Sequence, residues 1–476
     1  MTPLRTTGHA VAVFIVLAGL QRGMPLLLLP FVSQVLSPAD FGAASMLTAA
    51  SLLFTTVTAA PLESLVFRAA AQRNEDSSAI LRVTGIYCYA VVPAVIGLFA
   101  AGVGLFVPRF LGISGTVWCI ELLAVALQPA ITYFALPVVQ ARQNLVTFGW
   151  LASVSILVSA GSKVALLLIW QQGVLGWVIS DLISAAVSAV LAVALVRPPR
   201  AAVTRQQVRH VINFAAPLIP HRASIWAISS LSRPALAVVS SLTQVGLLSL
   251  GLNLASVANL LLSEINRAVL PHYSRESFPA PTTETAKIVE LQLLLAFAIP
   301  GFIGSAIALT GQWIFPAAYW PAFALTGVLL IAQASYGVYL VPTNYLVQTA
   351  GVTRPVGLAS GLGAVIILLG LFAVGRSYGA VGAAWATTAG FLTMTIIASA
   401  SAKVLKLNVA WKTFFGCWPQ TSLAFAAFAC AVVALWFPAG STDARVAAVV
   451  SIAITLVALL AARRRLRLPH NAVWHT

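Results

Sequence analysis

Charge is scarce in this chain: acidic and basic residues together occupy 8% of its 476 positions, and only 11 are Asp or Glu. A water-soluble domain keeps itself dissolved with charged surface. A composition that is 60% hydrophobic, with a mean hydropathy of +0.96, therefore excludes the soluble globular classes and leaves a polytopic membrane protein. Cysteine is also scarce. Cys88, Cys119, Cys417 and Cys430 lie in or beside apolar segments without CxxC or Cys/His spacing, so neither a disulfide framework nor a metal site is expected. No Gly-rich phosphate loop, Ser/His/Asp grouping or paired-carboxylate motif occurs, and the longest loops, near 68–82, 197–210 and 270–287, are too short for a folded catalytic domain. The expectation is a protein that is not an enzyme and carries no cofactor.

What the chain does have is apolar runs of about 20 residues, the length that crosses a hydrocarbon core as a helix. Fourteen are expected, near 9–36, 41–67, 83–107, 115–140, 148–170, 174–196, 211–237, 243–269, 288–314, 320–348, 355–375, 379–401, 417–438 and 444–462. The run after Arg5 is read as a first span and not a cleaved signal, because no small-residue cleavage site follows Leu20 and the apolar pattern resumes from Met24 to Leu36. Prolines inside the spans, among them Pro25, Pro30, Pro93, Pro137, Pro300 and Pro342, are tolerable where neighbouring helices satisfy the freed backbone groups, and they permit bending.

The chain is also written twice. Pro30, Gly42 and Ser45 return as Pro234, Gly246 and Ser249; Gln128, Pro137 and Gln143 return as Gln333, Pro342 and Gln348; and the Gly173, Gly176 pair returns as Gly379, Gly382. Repeats of this length in an apolar chain are how many secondary transporters are built, with the substrate path between the repeats. The fold expected is thus all-α and polytopic, with about fourteen transmembrane helices. A six-helix lobe at 1–200 would be followed by its repeat at 201–404, and 405–476 would hold two extra helices and a basic tail.

A net charge of +16 invites a nucleic-acid reading, but the basic residues have no aromatic-interleaved soluble domain to sit on, so no nucleic-acid partner is expected. They track the membrane instead. Clusters such as Arg197, Arg200, Arg205 and Arg209, or Lys403, Lys406 and Lys412, or Arg463, Arg464, Arg465 and Arg467, fall in the tails and even-numbered loops; only Arg109, Arg376 and Arg445 lie in loops on the other side. The positive-inside rule then puts both termini in the cytoplasm of a multi-pass protein of the cell (inner or plasma) membrane.

Four cations, Arg22, Lys163, Arg222 and Arg233, remain inside spans, where each needs a wet cavity, a partner or a ligand. Arg22 and Arg233, close to the repeat-related Pro30 and Pro234, are candidates to line one central space and bind an anion, because a guanidinium pairs with phosphate oxygens through a planar fork and stays protonated. Pairing with a carboxylate or carbonyl is the plainer alternative. Arg222 is either a third member of that site or a side chain snorkelling to the interface. Lys163 and Asp181 flank Gly173 by ten and eight residues, so a helical hairpin turning there brings them to similar depth. They form either a structural ion pair or a coupling pair for a proton or ion. Glu63 is the repeat-mate of Arg267, which suggests a cytoplasmic gate, although Glu264 offers Arg267 a local partner one helical turn away.

The segments Arg22 to Pro30 (RGMPLLLLP), Leu36 to Gly42 (LSPADFG), Gln244 to Leu250 (QVGLLSL) and Tyr378 to Trp385 (YGAVGAAW) resemble polysaccharide-biosynthesis flippases of the multidrug/oligosaccharidyl-lipid/polysaccharide exporter superfamily. The resemblance extends over essentially the whole chain in span number and repeat, through short and degenerate motifs. It implies two six-helix lobes plus two C-terminal helices. It also implies a cationic lumen, matched here by Arg22 and Arg233, that passes a polyprenyl-diphosphate-linked oligosaccharide from the cytoplasmic to the outer leaflet. The implied partners are the lipid-linked oligosaccharide, membrane lipids and other polysaccharide-assembly proteins. Two rival functions stay open. A multidrug/cation antiporter of the same superfamily would carry acidic lumen groups, and a membrane-embedded glycan polymerase or ligase would carry a large outward catalytic loop.

Overall fold

The computed structural model describes residues 23–24, 26–72, 75–275, 283–405 and 418–465. The chain divides into two compact units, Met1–Val238 and Val239–Thr476. In the first, α1 (Leu26–Val35) gives way to α2 (Pro38–Thr58) at Ser37, whose hydroxyl accepts from Asp40 N at 3.2 Å while Pro38 opens the helix, the position where a missing N–H costs nothing. After a 3₁₀ turn come α3 (Glu63–Gln72) and α4 (Asp76–Phe106), then a two-residue-strand hairpin pairing Arg109–Phe110 with Ile113–Ser114. The unit continues with α5 (Gly115–Ala141), α6 (Leu145–Ile169) and α7 (Gly173–Leu195), then the short helices α8 (Arg205–Ala215), α9 (Leu218–Ser230) and α10 (Ser232–Val239), α10 ending one residue into the second unit. Its core gathers Leu65, Val66, Phe134, Val138, Leu151 and Ala192; Tyr89 Oη donates to the Ala192 and Val196 carbonyls at 3.1 and 2.8 Å, satisfying the end of α7. Trp226 Nε1 donates to the Ala49 carbonyl at 2.8 Å and ties α9 to α2.

The second unit holds α11 (Leu242–Ser274), α12 (Thr283–Ile314), α13 (Pro321–Asn344), α14 (Arg354–Val404), α15 (Trp418–Trp436) and α16 (Thr442–Arg465). The last two are bound to it through a seam of small residues. A Cβ added to Gly301 would sit 3.2 Å from Phe428 Cα, one on Gly304 3.3 Å from Ala431 Cβ, and one on Gly327 3.4 Å from the Val432 carbonyl. Ser305 Oγ donates to Ser451 Oγ at 2.9 Å across the same packing. Close backbone approach of this kind replaces the hydrophobic driving force that lipid cannot supply.

The protein is an all-α polytopic membrane protein. Among the described residues eleven helices are long and apolar enough to cross a membrane. The difference from the fourteen expected runs has three sources. α14 is 51 residues long and folds over at Gly379, so it carries two expected runs; α1 is described only from residue 26; and the run at 211–237 is not one helix but α8, α9 and α10. Breaks fall at Pro217 and just before Pro234, where the ring removes a helix donor and clashes with the preceding turn, a disruption that an averaged apolar window does not register. The boundary at 238/239 describes packing, whereas the expected boundaries at 200 and 404 follow the sequence repeat.

The repeat is visible in the backbone. Gly173 and Gly379 both turn with positive φ, +59° and +53°, a conformation that L side chains rarely adopt. Three residues on, a Cβ at Gly176 or Gly382 would come within 3.0 and 2.8 Å of the carbonyl of Leu166 or Val374. Ser37 and Ser241 are likewise equivalent N-caps, Ser241 accepting from Gln244 N at 3.4 Å.

Candidate functional site

Arg22 lies outside the described residues. Arg233 is the second residue of α10, half-buried, directly before the helix-opening Pro234. Its repeat-mate Leu29 is buried on α1, so the duplication put a cation in one copy and an aliphatic chain in the other. Arg222 stands on α9 with Nη2 3.6 Å from Glu63 Oε2, at the first residue of α3. Both side chains are well exposed, 39% and 48%, so this contact is a solvated one that leaves the guanidinium available.

The structure gives Glu63 and Arg267 separate partners within their own units. Glu63 meets Arg222, and Arg267 Nη1 donates to Glu264 Oε1 at 2.7 Å across one turn of α11. Local i, i+3 spacing makes the second pair inexpensive to form.

Lys163 and Asp181 are brought together. α6 ends in a π turn, Val164–Ile169, and the chain reverses through Gln171 and Gly173, both with positive φ, so that α6 and α7 run side by side with Lys163 Nζ against Asp181 Oδ1. Lys163 Nζ also donates to Ser180 Oγ at 3.4 Å and lies 4.4 Å from the centre of the Trp177 ring. A largely shielded ammonium is thus held by a carboxylate, a hydroxyl and an aromatic face.

The cations drew the sequence reading away from a second carboxylate close to this pair. Glu121, inside the apolar run of α5, is 4% exposed; Ser51 of α2 donates to its Oε1, and its Oε2 is buried with no hydrogen-bond partner in the structure. The helix that carries it packs against α7, which carries Asp181. A lone Glu in a run otherwise free of charge was the available signal. The first unit therefore sets one buried carboxylate, Glu121 of α5, near a partly exposed ion pair, Lys163 of α6 and Asp181 of α7, 13% and 28% exposed.

The second unit also buries one carboxylate, Glu290 of α12, 6% exposed and with its Oε1 lacking a hydrogen-bond partner among the described residues, but its polar network is neutral. Asn266 Oδ1 accepts from Gln292 Nε2 at 2.9 Å and Asn344 Nδ2 at 2.7 Å; Tyr273 Oη donates to Gln292; and Asn259 Nδ2 donates to Gln333 Oε1 at 3.1 Å. These amides and hydroxyls satisfy one another inside the unit without formal charge.

The sequence profile described as "Polysaccharide biosynthesis protein" matches residues 8–276. No curated protein sequence matches the chain significantly. Among solved structures, the fold is similar to a lipid II flippase, MurJ, in an inward closed conformation, with a TM-score of 0.68 at 13% identity over 92% of this chain and 95% of that one. It is also similar to an inward-facing multidrug resistance MATE family transporter of the MOP superfamily, with a TM-score of 0.54 at 13% identity over 81% and 94%. What is shared with both is the fold. With the profile spanning more than half of its length, this chain belongs to the polysaccharide biosynthesis protein family.

Proposed function

We propose that this protein flips a polyprenyl-diphosphate-linked oligosaccharide from the cytoplasmic to the outer leaflet by alternating access, for export of a cell-surface polysaccharide. The observation that carries the reading is the profile match over 8–276, a stretch that contains Arg22, Arg222 and Arg233, on a fold similar to that of a lipid II flippase. Guanidinium groups in spans suit a diphosphate through paired, charge-assisted hydrogen bonds. The diphosphate would sit on Arg22 and Arg233, with Arg222 as an exposed outer contact. The glycan would occupy wet space, the lipid tail would stay in the bilayer, and no bond is made or broken. Other polysaccharide-assembly proteins would supply and take up the cargo.

The Lys163–Asp181 pair, with Glu121 beside it, would carry the coupling charge. Moving one proton onto or off a buried carboxyl changes the cluster's net charge and so its preference for a wet or a dry surrounding. The same acids favour a second reading, a multidrug/cation antiporter, since acidic groups are what such a protein needs. Asp181 is already matched by Lys163, which leaves two buried carboxylates without an ion pair among the described residues, Glu121 and Glu290, against a cation-rich set of spans, and the flippase reading stands first.

Depletion in cells followed by leaflet-resolved labelling of the polyprenyl-linked oligosaccharide tests the proposal. Accumulation in the cytoplasmic leaflet is the expected outcome. An unchanged distribution together with raised sensitivity to cationic drugs would transfer the case to the antiporter.

A further inference from the structure

A cavity of about 550 Å³ opens within the first unit where the end of α5, the start of α6 and the end of α7 meet. Arg142 and Arg197 both line it, together with Asn144, Thr147, Leu195 and Val196. Among the described residues neither guanidinium has a carboxylate within 4.0 Å or a side-chain hydrogen bond, in contrast to the paired cations Lys163, Arg222 and Arg267. Asn144 uses its Oδ1 to cap α6, accepting from Thr147 N at 3.2 Å, so what it can still offer a ligand is its amide donors. The lining is thus rich in donors and holds two unmatched positive charges, which specifies an anion with several oxygens.

The surroundings specify what the anion is attached to. Val146 and Trp150 on α6 and Val193 and Leu195 on α7 are exposed apolar side chains within about one turn of the cavity. A tryptophan at that level matches the headgroup depth where aromatic side chains collect. Arg200, Arg205 and Arg209 follow in the same loop and helix start, raising the local concentration of anionic headgroups. We propose that this cavity is a binding site for a resident acidic phospholipid, its phosphodiester between Arg142 and Arg197 and its acyl chains along α6 and α7. Every lining residue belongs to the first unit, half of the lining is apolar (Val139, Ala194, Leu195, Val196), and exposed apolar side chains lie next to it in sequence, as suits a bound bilayer lipid and not a cargo in passage. The site is independent of the flippase reading, which stands or falls by leaflet labelling.

The test uses the full-length protein in nanodiscs made from equal parts phosphatidylglycerol and phosphatidylcholine, with retained lipid read by native mass spectrometry. The wild type should retain phosphatidylglycerol preferentially. The Arg142→Gln/Arg197→Gln variant should lose that preference several-fold, whereas Arg205→Gln/Arg209→Gln, which removes the same charge outside the cavity, should keep it. Arg197→Lys should fall between, because the charge remains and the fork does not. Equal retention by the cavity variant overturns the proposal, as does an equal loss in the control, which would mean general surface charge. Displacement of phosphatidylglycerol by a short polyprenyl diphosphate in the wild type alone would assign the cavity to cargo and equally end the resident-lipid assignment.

Discussion

The two units keep one backbone plan and use it for different chemistry. Gly173 and Gly379 both turn the chain with positive φ and Ser37 and Ser241 cap equivalent helices, yet the side chains at matching positions have parted. Lys163 and Asp181 correspond to Leu369 and Thr387, and Glu121 corresponds to Thr326, whose hydroxyl is fully buried and bonds only its own helix at the Ala322 carbonyl. The first unit sets an ammonium among two carboxylates; the second joins amides and hydroxyls in a neutral network and, among the described residues, buries a single carboxylate, Glu290, 6% exposed, away from it. Backbone turns restrict which residues fit, so they persist through duplication, while a buried charge survives only where partners or function hold it.

The strongest way to break this contrast is through the arginines of the first unit. Arg22→Ala with Arg233→Ala should nearly abolish surface polysaccharide while the protein stays inserted, and Lys at either place should restore part of it. An active double variant would remove the diphosphate clamp. Next, the first unit can be given the second unit's residues. Asp181→Thr alone leaves Lys163 buried without its carboxylate and should cost on the order of 2–3 kcal/mol, below the range for fully buried pairs because Asp181 is 28% exposed. Lys163→Leu/Asp181→Thr should recover most of that loss in a thermal-unfolding assay. If it regains stability but not transport, the pair is a coupling element; if it regains both, the pair is structural.

A smaller effect separates the two turns. Alanine at either glycine meets positive-φ strain on the order of 1–3 kcal/mol, and Gly379 is held at φ +53° and ψ −129°, a conformation still less open to L side chains. At Gly379 its Cβ would also come 2.7 Å from Gln244 Oε1, which accepts from Ala380 N at 2.9 Å, whereas at Gly173 nothing lies within 4 Å. Gly379→Ala should therefore be the worse by about 1 kcal/mol, near the net worth of one hydrogen bond. Equal losses would mean that strain alone matters. The smallest stability effect belongs to Glu63→Gln, under about 1 kcal/mol because its pair with Arg222 is exposed. In transport, rescue of Glu63→Arg by Arg267→Glu would favour the gate, and rescue by Arg222→Glu alone would favour the local pair.

Much of this was legible in the sequence because a membrane asks so little of it. Apolar runs of the required length mark α2 or α7, and a repeated Gly-x-x-Gly marks the two turns. Hydropathy averages over about one span, so it could not show α8, α9 and α10 as separate helices. Nor could it show the π turns at Tyr87–Val91 and Ala130–Ala135, which sit directly before the segments bearing Pro93 and Pro137. One extra residue in a turn changes which side chains face inward without changing composition. The hairpin depth that suggested Lys163 beside Asp181 needed only rise per residue, whereas the nearness of Glu121 depends on how α5 packs against α7, a tertiary fact.

The glycine seam between α12 and α15 also bears on the order in which this protein is made. Gly301 leaves the ribosome 127 residues before Phe428, the side chain whose backbone it meets. At roughly 5–20 residues per second, α12 waits on the order of ten seconds in the bilayer with its small-residue face open to lipid. Translation that stops short of Trp418 would leave that face uncovered for good. The C-terminal helices thus act as the closing step of second-unit assembly, and a quality-control system that reads exposed glycine faces would find truncated chains there.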